Sequence, residues 1–119
     1  MHLGRYESLS EIILAKINLE SGKTRSFLKW IKEAEKLASQ SRNALDILWC
    51  HVIRAFYFQR QEKYEEVMEH LIQARQIYLG KPDFDQVALE KYLARKFPDV
   101  WDIIEEKHRR GTNKALRKI

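Results

Sequence analysis

The chain is expected to be all-α: antiparallel helical hairpins stacked as a short array of about six helices. Three observations carry that expectation. Gly and Pro number only four and two in 119 residues, whereas sheet proteins need frequent turn residues. Apolar residues recur at three- and four-residue spacing almost throughout. A shift of 40 residues lays Ala15 on Ala55, Phe27 on Val67, Ile31 on Leu71 and Ala34 on Ala74.

The first helix reads Tyr6, Leu9, Ile13 and Ile17 along its apolar stripe, with Leu14 and Ala15 broadening it, and stops at Ser21-Gly22. A second, from about Thr24 to Ser39, places Phe27, Ile31, Ala34 and Ala38 on one face, with Trp30 and Leu37 beside it. Polar Gln40-Ser41-Arg42-Asn43 leads into a third helix carrying Leu48, Trp49, Val52, Ala55 and Phe56. Arg60-Gln61-Glu62 separates it from a fourth, with Val67, Leu71, Ala74 and Tyr78, which Gly80-Lys81-Pro82 ends. Asp83 is the expected N-cap of a fifth helix, Phe84 to Lys96, with Gln86 completing a capping box. Pro98 then opens a sixth, ended by Gly111-Thr112-Asn113, with a frayed tail beyond. One domain is expected, with hairpins at 6–40 and 43–80, a third, capping hairpin at 83–110, and a basic tail at 111–119.

The net charge of +5 is local. Residues 1–106 hold 16 Lys/Arg against 17 Asp/Glu, and residues 107–119 hold the other six cations and no acid. Lys107, Arg109, Arg110, Lys114, Arg117 and Lys118 are therefore the candidate anion- or nucleic-acid-binding residues, suited to salt-sensitive phosphate contacts without base readout. The same run would equally dock an acidic protein, including a second copy of this chain, or serve as a solvated helix end. No apolar stretch is long enough to span a membrane, and the first residues lack the apolar centre of a secretory leader. With Cys50 the sole cysteine, a reducing, cytoplasmic setting is expected.

Tests for catalysis come back empty. No nucleotide-binding glycine pattern, nucleophile elbow or HExxH motif is present. Cys50 and His51 are adjacent, hence about 100° apart on a helix, which is wrong for a thiolate–imidazole pair. His51 and His70 sit in successive helices and can approach, but no carboxylate stands at a companion ligand spacing. No enzyme activity, cofactor or metal is expected.

The small-residue and large-apolar pattern of Leu14-Ala15, Gly22, Ile31 and Ala34, and of Lys63-Tyr64-Glu65-Glu66-Val67 through Ala74 to Pro82, resembles the tetratricopeptide (TPR) repeat over about residues 9–82. It departs from the family in its 40-residue period, which suits a longer-helix variant, in Phe27 or Val67 where a small residue is usual, and in Arg54 where leucine is usual. The resemblance implies a right-handed array whose first helices line a concave, peptide-binding face. By that carry-over, Ile12, Lys16 and Leu19 face the ligand in the first unit, and Trp49, Val52, Phe56, Gln59 and Arg60 in the second. Lys16, Trp49, Phe56, Arg54 and Arg60 are the partner-binding candidates, suited to an amphipathic or acidic helical peptide. Trp49, Val52 and Phe56 have an alternative role as core beneath the third hairpin. The implied function is a non-enzymatic interaction module, an adaptor or the sensory or oligomerisation part of a regulator. The alternative is a small basic protein binding nucleic acid through its C-terminal segment.

Overall fold

The computed structural model describes the backbone of residues 3–117 and the side chains of residues 8–110. Six α-helices follow one another: α1 (Leu3–Glu20), α2 (Thr24–Ser41), α3 (Ala44–Arg60), α4 (Tyr64–Leu79), α5 (Gln86–Lys96) and α6 (Pro98–Arg117). No strand occurs among the described residues. Helices α1 and α2 form one hairpin, α3 and α4 a second, and α5 and α6 a third. The molecule measures 48 × 37 × 21 Å, and its 15.5 Å radius of gyration exceeds the ~13–14 Å of a compact chain this long. The hairpins are stacked in a row.

The 40-residue repeat is physical. The turn between α1 and α2 places Gly22 at φ +74°, and the turn between α3 and α4 places Glu62 at φ +58°. Lys23 and Lys63 follow with matching backbone angles, φ −90°, ψ 78° and φ −94°, ψ 77°. Their amides return to equivalent carbonyls, Lys23 to Asn18 at 2.9 Å and Lys63 to Phe58 at 3.0 Å. The buried set of α2, Phe27, Ile31, Ala34 and Ala38, recurs on α4 as Val67, Leu71, Ala74 and Tyr78. The small residues let the paired helices approach, and the branched ones fill the space between them.

Two cores result. The first joins Ile12, Ala15 and Leu19 of α1 and Phe27, Ile31 and Ala34 of α2 to Cys50 and Ile53 of α3. The second joins Leu48, Val52 and Ala55 of α3 to the inner faces of α4, α5 and α6, including Tyr78, Leu93, Phe97 and Trp101. Opposite sides of α3 thus serve different cores. The seams also carry ion pairs: Arg54 on α3 donates Nη2 to Glu35 Oε1 on α2 at 2.8 Å, and Arg75 on α4 donates Nε to Glu90 on α5 at 3.0 Å.

Three expectations are corrected. On α1 the buried side is Ser8, Ile12, Ala15 and Leu19, while Leu9, Ile13, Leu14 and Ile17 are exposed. Apolar residues cover most of that helix's circumference, so periodicity alone does not tell its inner side from its outer. The cap of α5 is Asp85, whose carboxylate accepts the Ala88 amide at 3.0 Å, and Gln86 instead donates to the Tyr78 carbonyl at 3.3 Å. The helix therefore starts two residues later than Asp83 and Phe84 suggest. Finally, α6 runs through Gly111 to Arg117; one glycine inside a helix costs only about 1 kcal/mol.

Candidate functional site

The first helices of the three hairpins frame a cleft. Its larger lobe, about 350 Å³, lies between α1, α3 and α5, with Leu9, Ile13 and Lys16 on one wall and Trp49, Phe56 and Tyr92 opposite. A second lobe of about 190 Å³ continues from Lys16, Phe56 and Tyr92 toward Glu20, Arg60 and Lys96. Four of the five partner-binding candidates, Lys16, Trp49, Phe56 and Arg60, therefore share one concavity.

Local packing explains how each is held. Trp49 and Phe56 are half-buried, their rings against α5: Trp49 meets Tyr92 edge-on at 5.6 Å and Phe56 meets Phe97 at 4.6 Å between centroids. They serve as both core and lining, which reconciles the two roles open to them. Arg60 extends back to α1 and donates Nη1 to the Leu19 carbonyl at 2.6 Å, where the helix end carries partial negative charge. A guanidinium has five donors, so this bond fixes Arg60 without exhausting it. Gln59 donates to the Lys96 carbonyl at 3.4 Å, tying α3 to the end of α5. Ile12, Leu19 and Val52, also expected on the ligand side, are buried at the cleft floor.

Arg54 is elsewhere. It faces α2, and its two bonds to Glu35 direct the guanidinium away from the cleft. The sequence signal that was available is the spacing of Glu35 and Arg54 on successive helices. Tyr92 and Lys96 complete the cleft from the third hairpin, whose capping position in the array carries no sequence signal for a lining role.

On the α2–α3–α4 side, His51 and His70 meet with Nδ1 atoms 3.0 Å apart, and Phe58 stacks on His70 at 5.6 Å. One ring must donate and the other accept. Burial, foremost, lowers the pKa of both, and each ring's charge would also repel Arg54. The lowered pKa values favour the neutral form of both rings. No group of three or more His, Cys, Asp or Glu suited to a metal occurs among the described residues. Cys50 is buried, and burial, reinforced by Glu35 and Asp46, pushes its thiol up to about 12. At neutral pH it is the thiol, not the nucleophilic thiolate.

The basic residues fall on α6. Lys107 rims a second groove, about 380 Å³, between α4 and α6, where Ile72, Leu79 and Ile104 supply the apolar lining. Arg110 pairs with Glu106 one turn back at 2.7 Å, and Arg109 is exposed. The side chains of Lys114 and Arg117 lie outside the described residues, as does Lys118 entirely. No helix among the described residues is long and apolar enough to cross a membrane. No family model, curated protein or solved structure matches this chain.

Proposed function

We propose that the protein is a non-enzymatic interaction module that receives an amphipathic, acidic helix in the cleft between α1, α3 and α5. It would act as an adaptor, or as the sensory or oligomerisation part of a cytoplasmic regulator. The observation that carries this reading is the composition of the cleft. Half-exposed aromatic and aliphatic side chains are flanked by Lys16, Arg60 and Lys96, with Glu20 the acid among the lining residues. Apolar anchors of that kind supply affinity, and cations at the rim supply orientation. The turn geometry repeated at 40 residues supports a TPR-like array, in which first helices line the binding face.

The test uses a fluorescein-labelled acidic amphipathic 18-residue peptide and its sequence-scrambled control in anisotropy titrations. Saturable binding of the amphipathic peptide is expected, weakened about tenfold or more, ~1.4 kcal/mol, by Lys16→Glu with Arg60→Glu. Equal binding of the scrambled peptide, or indifference to the charge reversal, would refute the reading.

The continuity of α6 favours a second reading. Lys107, Arg110, Lys114 and Arg117 recur at three- and four-residue intervals along one unbroken helix, spacing suited to following a phosphate backbone. Binding to a generic 20-base-pair DNA at low salt, lost on deleting residues 107–119, would support it; absence of binding by the full chain would remove it.

A further inference from the structure

The first helices of the three hairpins end together. Glu20, Arg60 and Lys96 are the last residues of α1, α3 and α5, and all three line the smaller lobe of the cleft. Leu9 and Trp49 line the larger lobe, so α1 and α3 run along the cleft in the same direction. Helix α5 presents Tyr92 to both lobes before ending at Lys96. Backbone carbonyls of the last turns lie at this common end, where Leu19 accepts from Arg60 at 2.6 Å and Lys96 from Gln59 at 3.4 Å. Charge is segregated along the same line. Apart from Lys16, where the lobes join, the residues lining the larger lobe are uncharged. The smaller lobe sets three cations, Lys16, Arg60 and Lys96, against one carboxylate, Glu20, a net of +2.

We propose that the cleft takes its partner in one orientation: a helix antiparallel to α1, α3 and α5, with two acidic residues in its first turn seated in the smaller lobe. Its apolar stripe then runs into the larger lobe. The inference rests on the cleft being the site for an acidic amphipathic helix, and it adds where the acids stand and which way the helix points. Acids spread along the partner would meet no cation beyond Lys16. Two acids in one terminal turn match the net charge of the smaller lobe, whichever terminus carries them. Direction then follows from the backbone. A helix carries about half a positive charge at its N-terminus and half a negative charge at its C-terminus. Three C-termini bound the smaller lobe, so a partner's amide end is attracted there and its carbonyl end repelled. Acids in a first turn also stabilise the partner's own helix, whereas acids in a last turn weaken it.

Two peptides of one composition and one apolar stripe test this with the full chain. One carries two glutamates in its first turn, the other carries them in its last. Both are acetylated and amidated to remove terminal charge, and a side-chain lactam away from the apolar stripe holds each helical, so that folding of the free peptide does not decide the result. Anisotropy titrations should show the acid-first peptide binding about fivefold more tightly, the scale expected of helix-end electrostatics. A nitroxide on the first residue of that peptide reads direction independently. In the isotopically labelled chain it should broaden the amide signals of Glu20, Arg60 and Lys96 more than those of Leu9 and Trp49, which lie about 16 Å back along α1 and α3. Equal affinity of the two peptides, or stronger broadening at Leu9 and Trp49, overturns the orientation and leaves the cleft reading standing. Saturable binding of neither peptide removes the cleft reading and the orientation with it.

Discussion

The first two hairpins are the same 40-residue plan in two settings. Turn angles, returning hydrogen bonds and the buried positions of the second helix coincide. The first helices differ in what covers them: among the described residues, α3 is enclosed by hairpins on both sides, whereas α1 packs on α2 and α3 alone. Identical local structure has therefore been built from unequal burial. Hairpin geometry comes from the short-range pattern, and neighbours decide how far each hairpin is stabilised, as in other repeat architectures.

Truncating equivalent core residues sharpens that comparison most. Ile31 and Leu71 are both fully buried, and replacing either with alanine should cost ~2–5 kcal/mol. Leu71→Ala should lie at the upper end, because the third hairpin also closes its core and leaves less room to collapse. Urea unfolding followed by circular dichroism reads both. Equal losses would mean that enclosure adds nothing to the second hairpin.

The turns provide a smaller effect with opposite signs. Glu62 holds a left-handed conformation that costs a side chain ~1–2 kcal/mol relative to the right-handed one, so Glu62→Gly should raise stability by about 1 kcal/mol. Gly22 has open space around its missing Cβ, so Gly22→Ala should lower stability by about as much through φ alone. Thermal melts check both, and a change of the same sign at the two turns would break their equivalence.

The mildest probe is pH. His51 and His70 have folded-state pKa values below the ordinary 6.5, so the unfolded chain takes up protons first. Their contribution is present above pH 6.5 and is lost as pH falls below it toward the lowered values. His70→Phe should flatten that decline, and an unchanged pH profile would show that the ring pair contributes nothing.

Much of the fold was legible because helices leave a strong period and glycine and proline punctuate it. The turns within and between the first two hairpins and the paired alanines follow directly from residue spacing, whereas both ends of the third hairpin do not. Leu9, Ile13 and Ile17 misled for a physical reason: a helix apolar on two sides gives no periodic signal for which side is inner. Arg54 was misassigned because a cation suited to an anionic ligand is equally suited to Glu35, and only the packing of α2 on α3 distinguishes them. Asp83 and Asp85 are equivalent caps by composition; where the chain must turn after Tyr78 decides between them. Lys16, Trp49, Phe56 and Arg60 did converge, since all lie on first helices brought side by side.

The double duty of α3 has a consequence for motion. A wall shared by two cores cannot loosen without exposing both, so the middle hairpin is not free to melt alone. Amide protons in the middle of α3 should therefore exchange with solvent only through global opening. Those at the outer ends of α1 and α6 should exchange through fraying that leaves the rest intact. Slowest exchange along Leu48–Ala55, at a free energy equal to that of complete unfolding, would identify this helix as the strut that makes three hairpins behave as one cooperative unit.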